Sequence, residues 1–571
     1  MGKSFGQTWW GGQRFGALEH IDYANRIPRG AAYARKGAVK DVTIHDGDLH
    51  AQVQGFRPGT YRVIVSIPQF TEAERNRLMG ELEKQAVIIS KLLNRKLDPA
   101  LLDIANKLGL QLFPRSWNDL KMACSCPDWA VPCKHIAAVI YKVGQEIDNK
   151  PFLVFSLHGV DLLKELAQRG ISLDTKTMLS PAGIDELTLP GRKKTAIPEV
   201  RFIPDYTELS DRGDVLIGLQ PSNPAFYAHG DFQAVYSKCV ARCRRYARKL
   251  AAGSPSVLSP LRAAAEGIHP CSRIVAVFDA ALQLHAAIMN GGENTRTVLQ
   301  AKELSASLLF LAPDKAGDCH PEVELLHQVL MFAIRLWAAG AVVPQILAMH
   351  NGKYGVRWLP AMMDERVAQW MKYLENVLPD GLLSFRENGK ERTVRDGATW
   401  LVSMFLDQIV RQSATGSVPE YVESMFFHGA SAAFEGIGEK GIPGGIKAWT
   451  DRFFLGDRRY RPVFLEDETE EGFAVCIRIE EMRKLEDASE PLSDILQKKK
   501  YDKPRFEILK GLSLLADIEP QINRYINHGA ERSMHFTLCG FTPFLLTAVP
   551  AIRMLQAKVM LPVSLKELIR P

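Results

Sequence analysis

Three cysteines and a histidine lie close together in the stretch MACSCPDWAVPCKHIAAVIY, with the spacing Cys124-x-Cys126-x6-Cys133-x-His135. Thiolates and imidazoles are ligands that zinc takes up in a tetrahedron. Residues i and i+2 of a strand project from one face, so the first two cysteines can point at one metal ion. A turn bounded by two prolines then returns the chain, and the last two residues enter a helix. The spacing predicts one zinc ion, which is structural because four protein ligands leave no open position for water.

Two other interpretations of the cysteines compete with zinc. A disulfide between Cys124 and Cys126 would close a strained small ring and would leave Cys133 and His135 unexplained. Three buried cysteines by coincidence would not give the same one-residue spacing on both sides of a turn. N–H groups at the start of the following helix would also stabilise thiolate charge. Zinc is therefore the preferred interpretation.

Length and composition indicate a globular protein of several domains. A chain of 571 residues is too long for one core, and about two to four domains are expected. Its apolar content of 46% and charged content of 24% are ordinary globular values. Nine scattered cysteines and a start without an apolar segment fit a reducing cytosol, so we expect a cytoplasmic, nucleoid-associated protein. The longest apolar segment, VLMFAIRLWAAGAVV, carries Arg335 at its middle and predicts a buried helix, with no membrane contact.

The charge is unevenly distributed along the chain. Residues 1–170 contain 12 Lys and 11 Arg against 17 acidic residues. Because the whole chain has 71 basic and 65 acidic residues, residues 171–571 contain 48 of each. The entire positive excess therefore lies in the part that contains the cysteine cluster. An excess of this size is compatible with a nucleic-acid partner but does not establish one.

The first 170 residues are predicted to form a small module of helices and strands. AVKDVTIH, LHAQVQGF and YRVIVSIP alternate apolar and polar residues, which predicts a three-stranded meander over 38–67. Thr71 is placed to cap a helix that runs to about Asn94, and a further helix follows Pro99. The segment 134–145, after the cysteines, also has helical apolar spacing. The cysteine cluster thus lies between the meander and this helix in the sequence.

Composition changes near residue 171. Prolines, polar residues and weak periodicity over 171–215 predict a linker, so the predicted domains are 1–170, 171–215 and 216–571. One hairpin, RPVFLEDETEEGFAVCIRIEE, interrupts the otherwise helical last domain. The predicted fold class is α+β. The helical patterns of the last domain cover 234–251, 321–337, 365–377, 398–412, 504–515 and 543–557.

The motif Cys-x-Cys-x(n)-Cys-x-His followed by a helix resembles the SWIM zinc finger, a small β-β-α module found with bacterial Swi/Snf-type ATPases. The resemblance covers about residues 4–160. It implies the zinc ligands Cys124, Cys126, Cys133 and His135, and a role in binding DNA or protein. The upstream blocks similar to those of bacterial SWIM proteins are FGQTWWGGQRFGALEH, RIPRGAAYARKGAV, AQVQGFRPGTYRVIVSIP and LFP.

Basic and aromatic residues flank the predicted zinc site and the meander. Such mixtures suit phosphate contact combined with base stacking, and Tyr33 and Tyr61 lie among them. The alternative is an ordinary solvated face of charges. The candidate DNA contacts are Arg29, Arg35, Lys36, Arg57, Arg62, Arg115, Lys121, Trp129 and Lys134.

Motifs for other chemistry are weak. Gly2-Lys3-Ser4 has no upstream glycine or preceding strand, so it is not a phosphate-binding loop. The glycines of GIGEKG, residues 436–441, match a dinucleotide fingerprint by letters only, because no strand precedes them. Cys239 and Cys243 share a helix face with small apolar neighbours, which favours core thiols over a second metal site. We therefore expect no enzyme activity and identify no small-molecule substrate.

The last part of the chain, about residues 300–571, is similar to the accessory region that precedes the motor in bacterial Swi/Snf ATPases. The similar segments are RLWAAGAVVPQIL, YGVRWLPAMM, WLVSMFLDQIVR, AWTDRFF and FTPFLLTAVPAIRMLQAKVMLPVSL. The combined resemblances imply a non-catalytic subunit that binds DNA and docks onto a separate Swi/Snf-type ATPase, in genome maintenance or defence against foreign DNA. The alternative hypothesis is a DNA-binding regulator that acts without an ATPase.

Overall fold

The computed structural model describes most of the chain. The motifs Gly2-Lys3-Ser4 and 436–441 lie outside the described residues. Of residues 170–230 it describes 181, 183, 187–190, 209, 211–220 and 227. The longer described ranges, each with short internal gaps except the second, are 26–169, 231–265, 273–311, 320–434 and 444–561.

The chain divides into two compact units. The first, here called the zinc unit, comprises Met1–Leu179, Pro221–Phe232 and Phe434–Pro571. The second, here called the central unit, comprises Ser180–Gln220 and Gln233–Ala433. The residues after 433 thus pack with the N-terminal part of the chain rather than with the segment just before them. The domain boundaries given by the sequence patterns remain a prediction.

The N-terminal part of the zinc unit contains the predicted meander, which is confirmed. A fourth strand pairs antiparallel with the third, so the sheet order is β1-β2-β3-β4. The elements are α1 (Arg26–Arg35), β1 (Val39–His45), β2 (Asp48–Gln54), β3 (Thr60–Ser66), α2 (Glu72–Leu82), α3 (Ala86–Leu93), α4 (Ala100–Lys107), β4 (Lys121–Cys124), α5 (Lys134–Asn149), α6 (Leu153–Leu157) and α7 (Leu162–Gln168).

Thr71 caps α2, as predicted. Its hydroxyl accepts the N–H of Glu74, whose carboxylate accepts the N–H of Thr71, so two N–H groups at the helix start are satisfied. The single helix predicted to run to Asn94 is wrong, because a turn over 83–85 separates α2 from α3. In α3 the four consecutive residues 87–90 are all buried, so this stretch of the helix faces the core on all sides. A helix that simply continued α2 would bury only one stripe of its residues. The turn reorients the chain so that α3 enters the core.

The central unit contains two sheets that the sequence patterns missed. Their strand orders are β13-β10-β9 and β5-β12-β11-β6-β7-β8. Strand β5 lies within the predicted linker. The elements are β5 (Thr188–Pro190), α8 (Gly213–Gly218), α9 (Phe232–Ala251), α10 (Pro255–Arg262), β6 (Arg273–Asp279), β7 (Leu284–Met289), β8 (Arg296–Gln300), α11 (Ala301–Leu309), α12 (Pro321–Ala339), β9 (Val342–Ala348), β10 (Lys353–Pro360), α13 (Glu365–Val377), β11 (Leu383–Glu387), β12 (Lys390–Val394), α14 (Gly397–Ser413), α15 (Tyr421–Phe427) and β13 (Ala432–Ala433).

The core of the central unit encloses a buried charge cluster. The carboxylate of Asp407 accepts the N–H of Trp358 at 2.8 Å. The guanidinium of Arg357 lies 4.1 Å from the ring centre of Trp400. Burial raises the pKa of Asp407 to about 7, although Arg411, the Trp358 N–H and Arg357 all act to lower it. We therefore expect the stability of this unit to depend on pH.

The C-terminal part of the zinc unit contains the predicted hairpin, which is confirmed as β14 and β15; Glu471 lies outside the described residues. A π-helix, Phe544–Ala548, interrupts the last predicted helix. The elements are α16 (Gly444–Thr450), β14 (Tyr460–Thr469), β15 (Gly472–Glu481), β16 (Ser489–Pro491), α17 (Leu492–Gln497), α18 (Asp502–Leu515), α19 (Gln521–Asn527), β17 (Met534–Thr537), α20 (Leu538–Pro543), α21 (Val549–Met554) and β18 (Lys558–Met560). Short 3-10 helices cover Trp117–Asp119, Asp451–Phe454 and Lys499–Tyr501.

Helix α18 joins the C-terminal part of the zinc unit to the core beneath the meander. Phe506, which is 7% exposed, belongs to the same apolar cluster as the buried residues of α3 and α5. The side-chain amide of Asn94 donates a hydrogen bond of 2.9 Å to the carbonyl oxygen of Lys510. Lys96 and Arg452 both pair with Asp517. The two ends of the described chain therefore share one core.

Candidate metal centre

The four predicted ligands converge at the end of the four-stranded sheet. Cys124 ends β4, Cys126 follows two residues later, Cys133 is the N-cap of α5, and His135 lies in its first turn. Their ligand atoms all lie within 4.8 Å of one another, and Nδ1 of His135 is 3.9 Å from Sγ of both Cys124 and Cys133. In tetrahedral zinc sites with these donors, neighbouring ligand atoms are about 3.6–3.8 Å apart. The donor set fits zinc, and only small inward shifts separate it from that spacing.

The start of α5 favours thiolate at this site. A hydrogen bond from Cys124, the His135 ring, and the backbone N–H groups of Ile136 and His135 lower the pKa of Cys133 to about 4, although burial opposes this. The same hydrogen bond to Cys133, together with burial, raises the pKa of Cys124. Burial also raises the pKa of Cys126. A divalent cation would stabilise all three thiolates together, because metal ligands bind deprotonated.

Aromatic rings hold the imidazole of His135 in place. The ring centre of Tyr61 is 4.6 Å from that of His135, and the ring centre of Tyr33 is 5.5 Å away, edge-on. Nε2 of His135 is buried without a hydrogen-bond partner, whereas Nδ1 faces the thiols. Nδ1 is therefore the nitrogen that would hold the metal. Both tyrosines, which the sequence suggested for base stacking, support the histidine.

The position of α1 depends on Gly30, a residue that no sequence pattern marks as important. A Cβ atom at Gly30 would lie 2.5 Å from the Cβ of Ala137 and 3.0 Å from the backbone nitrogen of Ala138. Glycine at this position lets α1 approach the first turns of α5 closely. This contact brings Tyr33 against the ligand His135.

The loop between the first two ligands is fastened to the meander. The N–H of Arg62 donates to the hydroxyl oxygen of Ser125, and the N–H of Ser125 donates to the carbonyl oxygen of Arg62, both at 2.9 Å. These bonds extend the pairing of β3 with β4 by one residue. Cys124 and Cys126 therefore leave the sheet with a fixed separation.

Helix α5 lies inside the core. Residues 135–140 are all buried, and Val139, Ile140 and Val143 line one small cavity with Leu49 and Val65 from the inner face of the sheet. A helix packed in this way cannot enter a DNA groove. The finger therefore differs from fingers that read bases with an exposed helix.

These features define the class of zinc site, and comparisons agree with it. Residues 115–144 match the SWIM zinc finger, and residues 287–434 match a domain of unknown function, DUF8276. The chain thus contains a SWIM zinc finger that holds one structural zinc ion. It is 39% identical over 164 residues to the uncharacterized protein Rv2102 of Mycobacterium tuberculosis, which covers 28% of this chain and 59% of that protein. No solved structure matches the chain.

The candidate DNA contacts lie on several elements of the zinc unit. Arg57 and Trp129 lie outside the described residues. Arg29 and Arg35 lie on α1, and Lys36 directly follows it. The exposed candidates are Arg29, Arg35, Lys36, Arg62, Arg115 and Lys121. Lys134 is half-buried, and its Nζ lies 5.3 Å from the ring centre of Tyr33. Within the described chain, no ion pair involves Arg29, Lys36, Arg62, Arg115, Lys121 or Lys134. Their role in DNA binding remains a prediction.

The other candidates do not form a second centre. Cys239 and Cys243 are buried free thiols. They contact Glu423 at 3.9 Å and Ser413 at 3.1 Å respectively. In the part of the chain that the structure describes, no other group of three His, Cys, Asp or Glu side chains is placed to hold a metal.

The apolar segment around Arg335 forms the largely buried helix α12, as predicted. No described helix has the length and apolar content to span a membrane.

Proposed function

We propose that this protein is a non-catalytic accessory subunit that binds DNA and docks onto a separate Swi/Snf-type DNA-translocating ATPase. Its process would be genome maintenance or defence against foreign DNA. The observation that carries the DNA part is the set of six exposed or half-buried cations without carboxylate partners in the N-terminal part of the zinc unit. The phosphate groups of DNA would supply the negatively charged partners that these side chains lack within the protein.

The charge balance supports the same proposal. The whole positive excess of the chain lies in residues 1–170, where these cations are found. Binding of such residues to phosphates releases condensed counterions and gives affinity without base recognition. The buried position of α5 supports this mode, because no helix of the finger is available to read bases.

The ligand count supports a structural rather than a catalytic role for the zinc ion. Three thiols and one imidazole complete the tetrahedron of a zinc ion, so no position remains for a water molecule that would attack a substrate. The zinc ion instead fixes the first turn of α5 to the end of β4. Its contribution is to the folding of the finger.

The ATPase part rests on resemblance. Residues 4–160 resemble SWIM proteins encoded beside or fused to Swi/Snf ATPases, and residues 300–571 resemble the region that precedes the motor. A chain that supplies this region would complete a motor that lacks it. The partner is thus a Swi/Snf ATPase without an accessory region of its own.

Reconstitution with such an ATPase from the same organism tests the proposal. The two proteins should elute together in size-exclusion chromatography, and the chain should change the rate of DNA-stimulated ATP hydrolysis while hydrolysing none itself. DNA binding without any contact to the ATPase would overturn the accessory role and favour a regulator that acts alone. ATP hydrolysis by the purified chain would overturn the non-catalytic assignment.

A further inference from the structure

The four-stranded sheet of the zinc unit has one buried face and one exposed face. On β2 and β3 the inward side chains, such as Val53 and Val63, are buried, and the alternate ones are exposed or half-exposed. We call the solvent side of β1–β4 the outer face. The inner face packs on α5, so the outer face is the side that a partner can reach.

Cross-strand pairing arranges the outer face in rows. In the row nearest the zinc ligands, Lys40 lies opposite Gln52, Gln52 opposite Arg62, and Arg62 beside Ser125. All four side chains are exposed. Neighbouring strands are about 4.8 Å apart, so the backbone positions that carry the two cations of this zinc-end row are about 10 Å apart.

The next row is much less polar. His50 lies opposite Ile64, which lies opposite Ala123, and Ile64 is 37% exposed. The His50 ring also contacts that of His45, with ring centres 5.7 Å apart. An imidazole and a branched apolar side chain side by side offer a surface on which a base can lie.

The remaining charges of the outer face lie away from the zinc-end row or at its edge. Lys121 and Asp48 are in the third row, on either side of Ser66, and Asp41 lies in a bulge of the edge strand β1. No ion pair links Lys40, Arg62 or Lys121 to a carboxylate in the described chain. The centre of the face therefore combines unpaired cations with a stacking surface.

The dimensions of the face do not suit a duplex groove. Four strands span about 14 Å between the outer backbones, whereas the major groove of B-DNA is about 12 Å wide and admits a helix or a two-stranded ribbon. Unpaired bases, in contrast, can lie flat on an open sheet while cations contact the backbone.

We propose that the outer face binds single-stranded nucleic acid. Lys40 and Arg62 contact successive phosphates, His50 and Ile64 contact the face of a base, and the Gln52 amide contacts a base edge. This inference rests on the proposed nucleic-acid function and specifies that the outer face binds the single-stranded form.

Fluorescence anisotropy on the zinc-loaded full chain tests the inference. The probes are a labelled 20-nucleotide DNA strand, its duplex and the RNA strand of equal sequence. We expect at least about tenfold tighter binding to a single strand than to duplex. Arg62→Ser should weaken binding about fivefold and lower the slope of log K against log salt by about 0.7, the value for one lost phosphate contact on a single strand. The double variant His50→Ala/Ile64→Ser should weaken binding about tenfold with the slope unchanged.

Arg77→Ser is the matched control, because Arg77 is exposed on α2, an element that is not part of the sheet. It should leave both affinity and slope unchanged. Single-strand binding that is insensitive to both test variants, or duplex binding as tight as single-strand binding, would overturn this inference and leave the DNA-binding proposal intact. Failure to bind any of the three probes at low salt would overturn both.

Discussion

Truncation of one side chain far along the chain from the finger should weaken zinc retention. Phe506 lies on α18 but is packed, 7% exposed, in the core that contains α3 and α5. Phe506→Ala removes a buried ring and leaves a cavity, which costs about 3 kcal/mol. For a cooperative unit of this size, that corresponds to a fall in Tm of about 4 °C.

Zinc release is the specific readout, because the finger lies in the same unit as α18. The protein is heated or titrated with denaturant in the presence of a metal-sensitive dye, and tryptophan fluorescence is recorded in parallel. The midpoint of zinc release should move with the lost stability. Leu546→Ala is the control, since Leu546 is 64% exposed in the same C-terminal part and its truncation should cost under about 0.5 kcal/mol.

The reasoning would be refuted by a zinc-release midpoint that stays at the wild-type value while the C-terminal part melts earlier. That result would mean that α18 and the finger unfold independently, despite the shared apolar cluster. An equal effect of Leu546→Ala would also refute it, because burial would then not explain the loss.

Three further predictions concern other parts of the molecule. Cys126→Ser should reduce bound zinc from one equivalent per chain to almost none by metal analysis, whereas Cys539→Ser, at an exposed thiol, should retain it. Gly30→Ala places a Cβ 2.5 Å from another side chain and should cost about 1–3 kcal/mol in denaturant unfolding; an unchanged midpoint would contradict the close packing of α1. Because burial raises the pKa of Asp407 to about 7, the protonated form is favoured in the folded state, and this stabilisation is lost as pH rises from 4 through 7. Asp407→Asn should remove a change in the free energy of unfolding between pH 4 and 7 that is on the order of 4 kcal/mol. A wild-type free energy of unfolding that is constant over this range would contradict the raised pKa.

Local patterns predicted several helices of the central unit well and its strands poorly. The predicted helix 365–377 matches α13 residue for residue, because its apolar spacing and the capping carboxylate of Asp364 are local signals. Strand β6 instead lies between β11, a parallel partner about a hundred residues later, and β7. Its pairing is determined by contacts that a local window does not contain.

The zinc site shows how far the sequence alone could determine this protein. Four ligands within twelve residues, a turn and a helix start are local features, so ligand identity and metal class could be read from spacing. The tertiary structure decided that α5 is buried, that Tyr33 and Tyr61 pack on the ligand histidine, and that the residues after 433 share a core with the finger. These arrangements depend on which apolar surfaces meet across hundreds of residues. The hydrophobic effect is non-directional, so the sequence near a residue does not specify which distant apolar surface it packs against.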